Sequence, residues 1–181
     1  MEAAAVDKRP AAQEFAGTDF RNTVGSFATG VTVITTRGAD DAEEDVYGMT
    51  ANAFSSVSLD PPLILVCVNS GTQGAETIAR NGVFAVNVLG AHQEPISRHF
   101  SSRERPSGRA AFAGLPHVSA VTGSPILERA AAYLDCIVRD CHEAGDHLIF
   151  IGEVVAIGSD PDVRPLVFHG GRYAALHEDA D

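Results

Sequence analysis

About seven stretches of this chain are patterned as strands and three as short helices, and the two kinds do not alternate. That order narrows the possible folds more than any other feature. A doubly wound sheet needs strand, glycine-rich turn and long helix in succession. Neither Gly-x-Gly-x-x-Gly nor a P-loop sequence occurs. The pattern is that of a mainly β, antiparallel barrel with helical insertions. With 181 residues, 45% of them hydrophobic, the chain has the length of one domain and enough apolar material for a sizeable core. No internal repeat is visible.

Thr18 is the predicted N-cap of a first helix carrying Phe20, Val24 and Phe27 at i, i+4 and i+7, with Gly30 ending it. Val31–Thr36 is a β-branched strand, and 46–58 reads as strand, bend and short strand. Leu63–Val68 is a continuous apolar run, predicted to be buried on both faces or nearly so. Thr72–Asn81 is a helix with Ala75 and Ile78 inward, stopped by Asn81-Gly82. A strand at Val83–Leu89, a helix at His92–Phe100 and an exposed loop at Ser101–Gly108 follow. Leu127–Cys141 and Asp146–Gly158 read as two long strands joined through His142–Gly145. Leu166–His169 and Arg172–Leu176 flank a Gly170-Gly171 turn. Residues 1–17 and 177–181 are predicted to be a flexible arm and tail around a domain spanning 18–176.

The net charge of −11 argues against general nucleic-acid binding, which needs a basic face. It does not exclude an anionic ligand held by local donors. Lys8 is the only lysine, so phosphate recognition would fall to Arg, hydroxyls and backbone N–H groups. No apolar run reaches the roughly 18 residues of a membrane span. Met1–Gly17 lacks the apolar core of a secretory signal, and the expected location is the cytoplasm. Three cysteines, Cys67, Cys136 and Cys141, make an odd count that argues against a disulfide framework.

Four segments are candidates for chemistry, and each has an ordinary alternative. The acidic run Gly38–Asp45 has no His and no ligand spacing, so it reads as a solvated turn and not as a metal site. Thr50–Ser58 is a run of small and hydroxyl residues against which a flat ligand can lie, or a plain polar edge strand. Asn69-Ser-Gly-Thr72 leads into a helix and offers free N–H groups to an anion, or simply an N-cap at Thr72. Gly145-Asp-His147 opens a strand with a histidine that can orient a ligand or move a proton, or is merely exposed. Cys136 and Cys141 lie five positions apart and point to opposite faces of one strand. His142 and His147 can meet across a hairpin, but two ligands do not close a zinc site, and no metal is expected.

In order along the chain, Phe27-Ala-Thr-Gly-Val-Thr-Val-Ile-Thr35, Gly48–Ser58, Asp60-Pro-Pro-Leu63, Phe84-Ala-Val-Asn-Val-Leu89, Gly145-Asp-His147 and Pro165–Tyr173 resemble the short-chain flavin reductases. These are the reductase components of two-component flavin-dependent monooxygenases. The resemblance runs from about Asp19 to Leu176. It implies a Greek-key split β-barrel with a few short helices, homodimeric, with flavin near the subunit interface. By that resemblance Thr50, Ala51, Asn52 and Ala53 line the flavin ring, and Ser55 and Ser56 lie near the ribityl chain and phosphate. Cys67, Val68, Asn69 and Thr72 close on the flavin from a second strand end, and Phe100, Ser101 and Arg103 border it. Gly145, Asp146 and His147 match the nicotinamide motif, and Tyr173 lies in a segment that also approaches that site. Two departures stand out. The usual Ser-Ser-x-Thr is here Gly71-Thr-Gln-Gly74, and the usual Lys or Arg before Phe112 is here Ala111, with Arg103, Arg105 and Arg109 as possible substitutes.

The resemblance implies an NAD(P)H-dependent flavin reductase that supplies reduced flavin to a partner monooxygenase. FAD is expected, with FMN accepted, and NADH is preferred over NADPH. In such an enzyme the cofactors carry the chemistry and the protein orients them, with His147 expected to fix the nicotinamide. A split-barrel FMN carrier or sensor without nicotinamide turnover, and a ligand-free scaffold, are the competing readings.

Overall fold

The structure is a computed structural model and describes residues 12–38 and 46–176. The ends 1–11 and 177–181 and the acidic segment 39–45 lie outside the described residues.

A seven-stranded sheet carries the fold, built from β2 (Thr32–Thr36), β3 (Tyr47–Ala51), β4 (Phe54–Leu59), β5 (Pro62–Asn69), β6 (Val83–Val88), β9 (Ala132–Ala144) and β10 (His147–Ser159). Its order is β3-β2-β6-β9-β10-β5-β4, and every pairing is antiparallel. Two small sheets flank it. One joins β1 (Thr29–Gly30), β11 (Val167–His169) and β12 (Arg172–Ala174), and the other joins β7 (His117–Ser119) and β8 (Pro125–Leu127). Three short α-helices complete the described chain: α1 (Gly17–Gly25), α2 (Gln73–Asn81) and α3 (Glu94–Ser101).

The strand order has a geometric consequence. β3 and β4 stand at opposite edges of the sheet, yet only Asn52-Ala53 joins them. A two-residue link reaches about 10 Å, so the sheet must curl until its two edges meet there. Inside the curl lies the first core, with Ile34, Val66, Phe84, Val86 and Phe150, and α2 adds Ala75 and Ile78. A second core lies outside β2, where Val31, Val33 and Leu89 meet Phe100 of α3, Phe112, Leu127 and Leu166. β2 is buried along its whole length because it faces both cores.

Local rules account for the ends of α2. Thr72 Oγ1 accepts from the Ala75 N–H at 3.4 Å, and Gly82, at φ +67°, sends its N–H to the Ile78 carbonyl. Gly170 and Gly171 both have positive φ, as a two-residue type I′ turn requires.

Elsewhere the structure departs from the sequence expectations. The first helix starts at Gly17 behind Ala16, so Thr18 is not its cap, and it ends at Gly25, so Phe27 and Gly30 lie beyond it. It buries no residue: Phe20, Val24 and Phe27 are all exposed. β5 alternates, with Ile64, Val66 and Val68 in the core and Leu63, Leu65 and Cys67 on the half-covered outer face. The long strand expected from Leu127 is broken before Ala132, where Arg129 takes a φ of 61°. The next hairpin is tighter than predicted. His147 pairs with Ala144, leaving Gly145-Asp146 as the turn, and Gly145 at φ +65° fits a type II′ bend. Ile149, and not His147, sits opposite His142. Cys136 is buried and Cys141 exposed, yet they do not point to opposite faces. A bulge between Val138 and Asp140 adds a residue to β9, so Cys141, paired with Phe150, shares the face of Cys136, paired with Val154.

A buried polar cluster fastens β8 to the sheet. Asp135, fully buried, accepts from the Thr122 N–H at 2.8 Å and hydroxyl at 2.5 Å. Asn87 accepts from the Leu127 N–H and donates to the Val33 carbonyl.

Candidate functional site

The seam between β3 and β4 leaves backbone donors unspent. Asn52 and Ala53 are exposed, and neither N–H has an acceptor among the described residues. Their carbonyls are used instead: Phe54 N–H donates to Asn52 O, and Cys67 N–H to Ala53 O. Side chains pin the seam from behind. Thr50 Oγ1 donates to the Ser97 carbonyl at 2.7 Å, Thr32 Oγ1 to the Ala51 carbonyl at 2.6 Å, and Asn52 Nδ2 to Thr29 Oγ1 at 3.3 Å. The Thr50 hydroxyl is therefore turned away from the seam surface. Ser55 and Ser56 follow on β4, both exposed.

β5 forms the floor beside the seam. Cys67 lies on its outer face, while the Val68 side chain is buried in the first core and can meet a ligand only through its backbone. Burial raises the Cys67 thiol above its usual range, so it is a neutral, weakly polar contact at neutral pH. Asn69 Oδ1 accepts from Gly71 N–H, and the Asn69 carbonyl accepts from Thr72 Oγ1. Thr72 is thus committed to the turn and the helix cap.

Beyond β5 stands the Gly145 turn. Ser70 sends both its N–H, at 3.0 Å, and its hydroxyl, at 3.1 Å, to the Asp146 carbonyl, which locks the turn to the β5 end. His147 pairs across to Asn69, two residues along β5 from Cys67, where the seam attaches. Strand spacing puts the seam and His147 about 10 Å apart across that floor. His147 Nδ1 lies 2.7 Å from Asp146 Oδ1. The carboxylate accepts, so Nδ1 carries the hydrogen and Nε2 faces outward. That hydrogen bond, with the imidazole's charge when protonated, holds the Asp146 carboxyl below its ordinary range.

A cavity of about 290 Å³ adjoins the seam strand, lined among others by Tyr47, Gly48, Thr72, Gln73, Arg103, Arg105 and Ala111. Arg105 donates to the Tyr47 hydroxyl and the Ser102 carbonyl, both at 2.6 Å, and stacks on the Tyr47 ring. No partner for Arg103 is present among the described residues. Arg109 instead borders a separate hollow with Arg37, Phe112 and His117. Phe100 is buried in the second core, and the Ser101 hydroxyl bonds the Arg98 carbonyl. Tyr173 lies on β12, with its hydroxyl 2.8 Å from Ser97 Oγ.

The chain matches the model of the flavin reductase like domain over residues 24–177. It belongs to that family. Among its relatives are the NADH-dependent FAD reductase of Streptomyces globisporus, 40% identical over 89% of this chain and 86% of that protein, and HsaB, a flavin-dependent monooxygenase reductase subunit of Rhodococcus jostii, 36% identical over 88% of this chain and 78% of its own. The structure of the S. globisporus NADH:FAD oxidoreductase SgcE6 with NAD and FAD fragments superposes with a TM-score of 0.82 at 37% identity, covering 94% of this chain and all of that one. The described fold, mainly β with three short helices, agrees with that family architecture.

Within this flavin reductase family member, sequence reasoning located the seam, the β5 end and the Gly145–His147 turn. It named Arg105 only as one of three possible cations, and it missed Ser70, Ser97 and Tyr47. Ser70 lay inside a quoted run and was read for its backbone alone. Ser97 gave no signal, being a serine in a short polar helix whose importance depends on what α3 packs against.

Proposed function

We propose that this protein is an NADH-dependent flavin reductase that reduces FAD, with FMN accepted, and releases the product to a flavin-dependent monooxygenase. The observation that carries the reading is the seam: two unspent N–H donors beside a half-apolar floor, with an oriented histidine at the floor's far side. A flat ring with polar edges fits such a surface. The printed activities of the relatives support the same assignment.

Bound flavin and nicotinamide supply the redox chemistry themselves. The chain's part is to bind, orient and exclude water. Asn52 and Ala53 N–H offer donors to the negative charge that reduction leaves on a flavin. His147 Nε2 positions the nicotinamide and is not a proton donor to the reaction. Arg103, the arginine of the 290 Å³ cavity that Tyr47 does not engage, takes the flavin phosphate in place of the cation missing at Ala111.

The reading includes a split barrel acting as a homodimer, in which the curled seven-stranded sheet is the barrel and the seam its split. α1 supports the dimer, since Phe15, Phe20, Val24 and Phe27 are exposed on and beside a helix that has no buried residue. A second copy seated on α1 would also roof the seam, which a single chain leaves open. Three free thiols support the reducing cytoplasm as its compartment.

The test mixes purified protein with NADH and either FAD or FMN and follows the nicotinamide absorbance. Fast loss that depends on added flavin is expected. Yellow protein without turnover, or no response at all, would refute the assignment. Sedimentation of the wild type and of Phe20→Asp tests the dimer, with a shift to monomer expected in the variant.

A further inference from the structure

The geometry points to the C-terminal hairpin β11–β12 as a brace that sets the position of the flavin seam, with Tyr173 as its positioning residue acting through Ser97. The inference rests on the reading that the seam binds flavin, and it assigns Tyr173 a role other than touching the nicotinamide.

β3 is an edge strand, hydrogen-bonded to β2 on one side only. Its outer face is held by α3, whose Phe100 packs over Gly48, and the polar tether is Thr50 Oγ1 donating to the Ser97 carbonyl. Ser97 is fully buried, and among the described residues its hydroxyl has one partner, the Tyr173 hydroxyl at 2.8 Å. Tyr173 itself is clamped. The Phe168 ring meets it edge-on at 5.4 Å, and the Arg98 guanidinium lies 4.7 Å from its ring centre, held in turn by Glu94. The same hairpin reaches the seam by a second route. Phe168 pairs with Thr29, and Thr29 Oγ1 accepts from Asn52 Nδ2. Thr50 and Asn52, on either side of Ala51, are thus each linked to β11–β12, although the chain separates them from it by more than a hundred residues.

A buried serine hydroxyl that loses its partner must find another or shift. A shift of Ser97 carries α3 and the Thr50 tether with it, and the free N–H groups of Asn52 and Ala53 lie immediately beyond. Flavin affinity is therefore the property the Tyr173 hydroxyl governs.

The test is Tyr173→Phe, which keeps the ring, the Phe168 contact and the Arg98 stack and removes one oxygen. Quenching of flavin fluorescence gives Kd for FAD and FMN without turnover. An increase of about five- to tenfold is expected, the worth of one hydrogen bond, while KM for NADH stays within twofold of the wild type. Ser97→Ala should give a similar increase, and the double variant should add little to either single one. A raised KM for NADH with unchanged flavin Kd would place Tyr173 on the nicotinamide and overturn the inference. A lowered Tm with both constants unchanged would make the hairpin merely structural and overturn it too. Should Tyr173→Phe fail to fold, Ser97→Ala decides by the same two constants. Wild-type protein that binds no flavin would overturn the functional reading and this inference together, whereas normal wild-type binding with unaltered variants overturns this inference alone.

Discussion

Replacing His147 with Ala separates an orienting histidine from a proton-donating one, because the two roles differ in size. The imidazole is 43% exposed and is aimed by one 2.7 Å hydrogen bond to Asp146. An orienting role amounts to one hydrogen bond from Nε2 plus part of a ring contact, about 1–2 kcal/mol. That corresponds to roughly five- to thirtyfold in KM for NADH, with kcat changing by no more than about threefold. General acid catalysis would instead cost about 10²–10⁴ in kcat. Steady-state kinetics at saturating flavin, with NADH varied well beyond the new KM, separates the two. A hundredfold fall in kcat at saturating NADH would refute the orienting role. The pH dependence adds a check. The native Asp146 carboxyl lies below its ordinary value of 3.8, so the pair's contribution is fully present above that pH and is lost as pH falls through the lower native value. KM for NADH should then show no inflection from Asp146 between about pH 5 and 7. Asp146→Asn, at a site 85% exposed, should raise KM for NADH by about threefold or less, because solvent screens the pair.

Three further outcomes follow from burial and packing. A thiol reagent at neutral pH should modify Cys141 first and Cys67 more slowly, with added flavin protecting Cys67; Cys136, buried and with its pKa pushed up to about 12, should react only on unfolding, as peptide mapping would show. Asp135→Ala leaves the Thr122 N–H and hydroxyl without their acceptor and should cost about 2 kcal/mol, read as a fall in Tm of roughly 4–8 °C by calorimetry. Gly48→Ala sets a methyl 2.5 Å from the Phe100 ring and should cost about 1–3 kcal/mol, measurable by urea unfolding, whereas Ala at the exposed Ser56 should leave stability unchanged.

Local chemistry made much of this protein legible in its sequence. The Thr72 cap, the Gly82 stop and the paired glycines of the last hairpin are decided within a few residues of themselves, and each appears where the sequence placed it. The β-branched and apolar runs likewise became β2, β5 and β6, and motif order carried the family. Burial and partnership were another matter, because they depend on which distant segments the fold brings together. Phe20, Val24 and Phe27 have core-like spacing, yet each stays more than half exposed. Val68 and Phe100 sit in flavin-reductase motifs, and their side chains belong to the two cores. Thr50 belongs by resemblance to the segment that lines the flavin ring, and only the fold shows that its hydroxyl is spent on the Ser97 carbonyl.

The amino-acid order by itself settled the strand-rich class, the turns and the kinship, since each is written in neighbouring residues. Tertiary structure alone decided that the first and last strands of the seven-stranded order would meet at Asn52-Ala53 and leave two N–H groups unspent there. That seam arises from the curl of a whole sheet, and the curl is set by contacts between residues far apart in the chain.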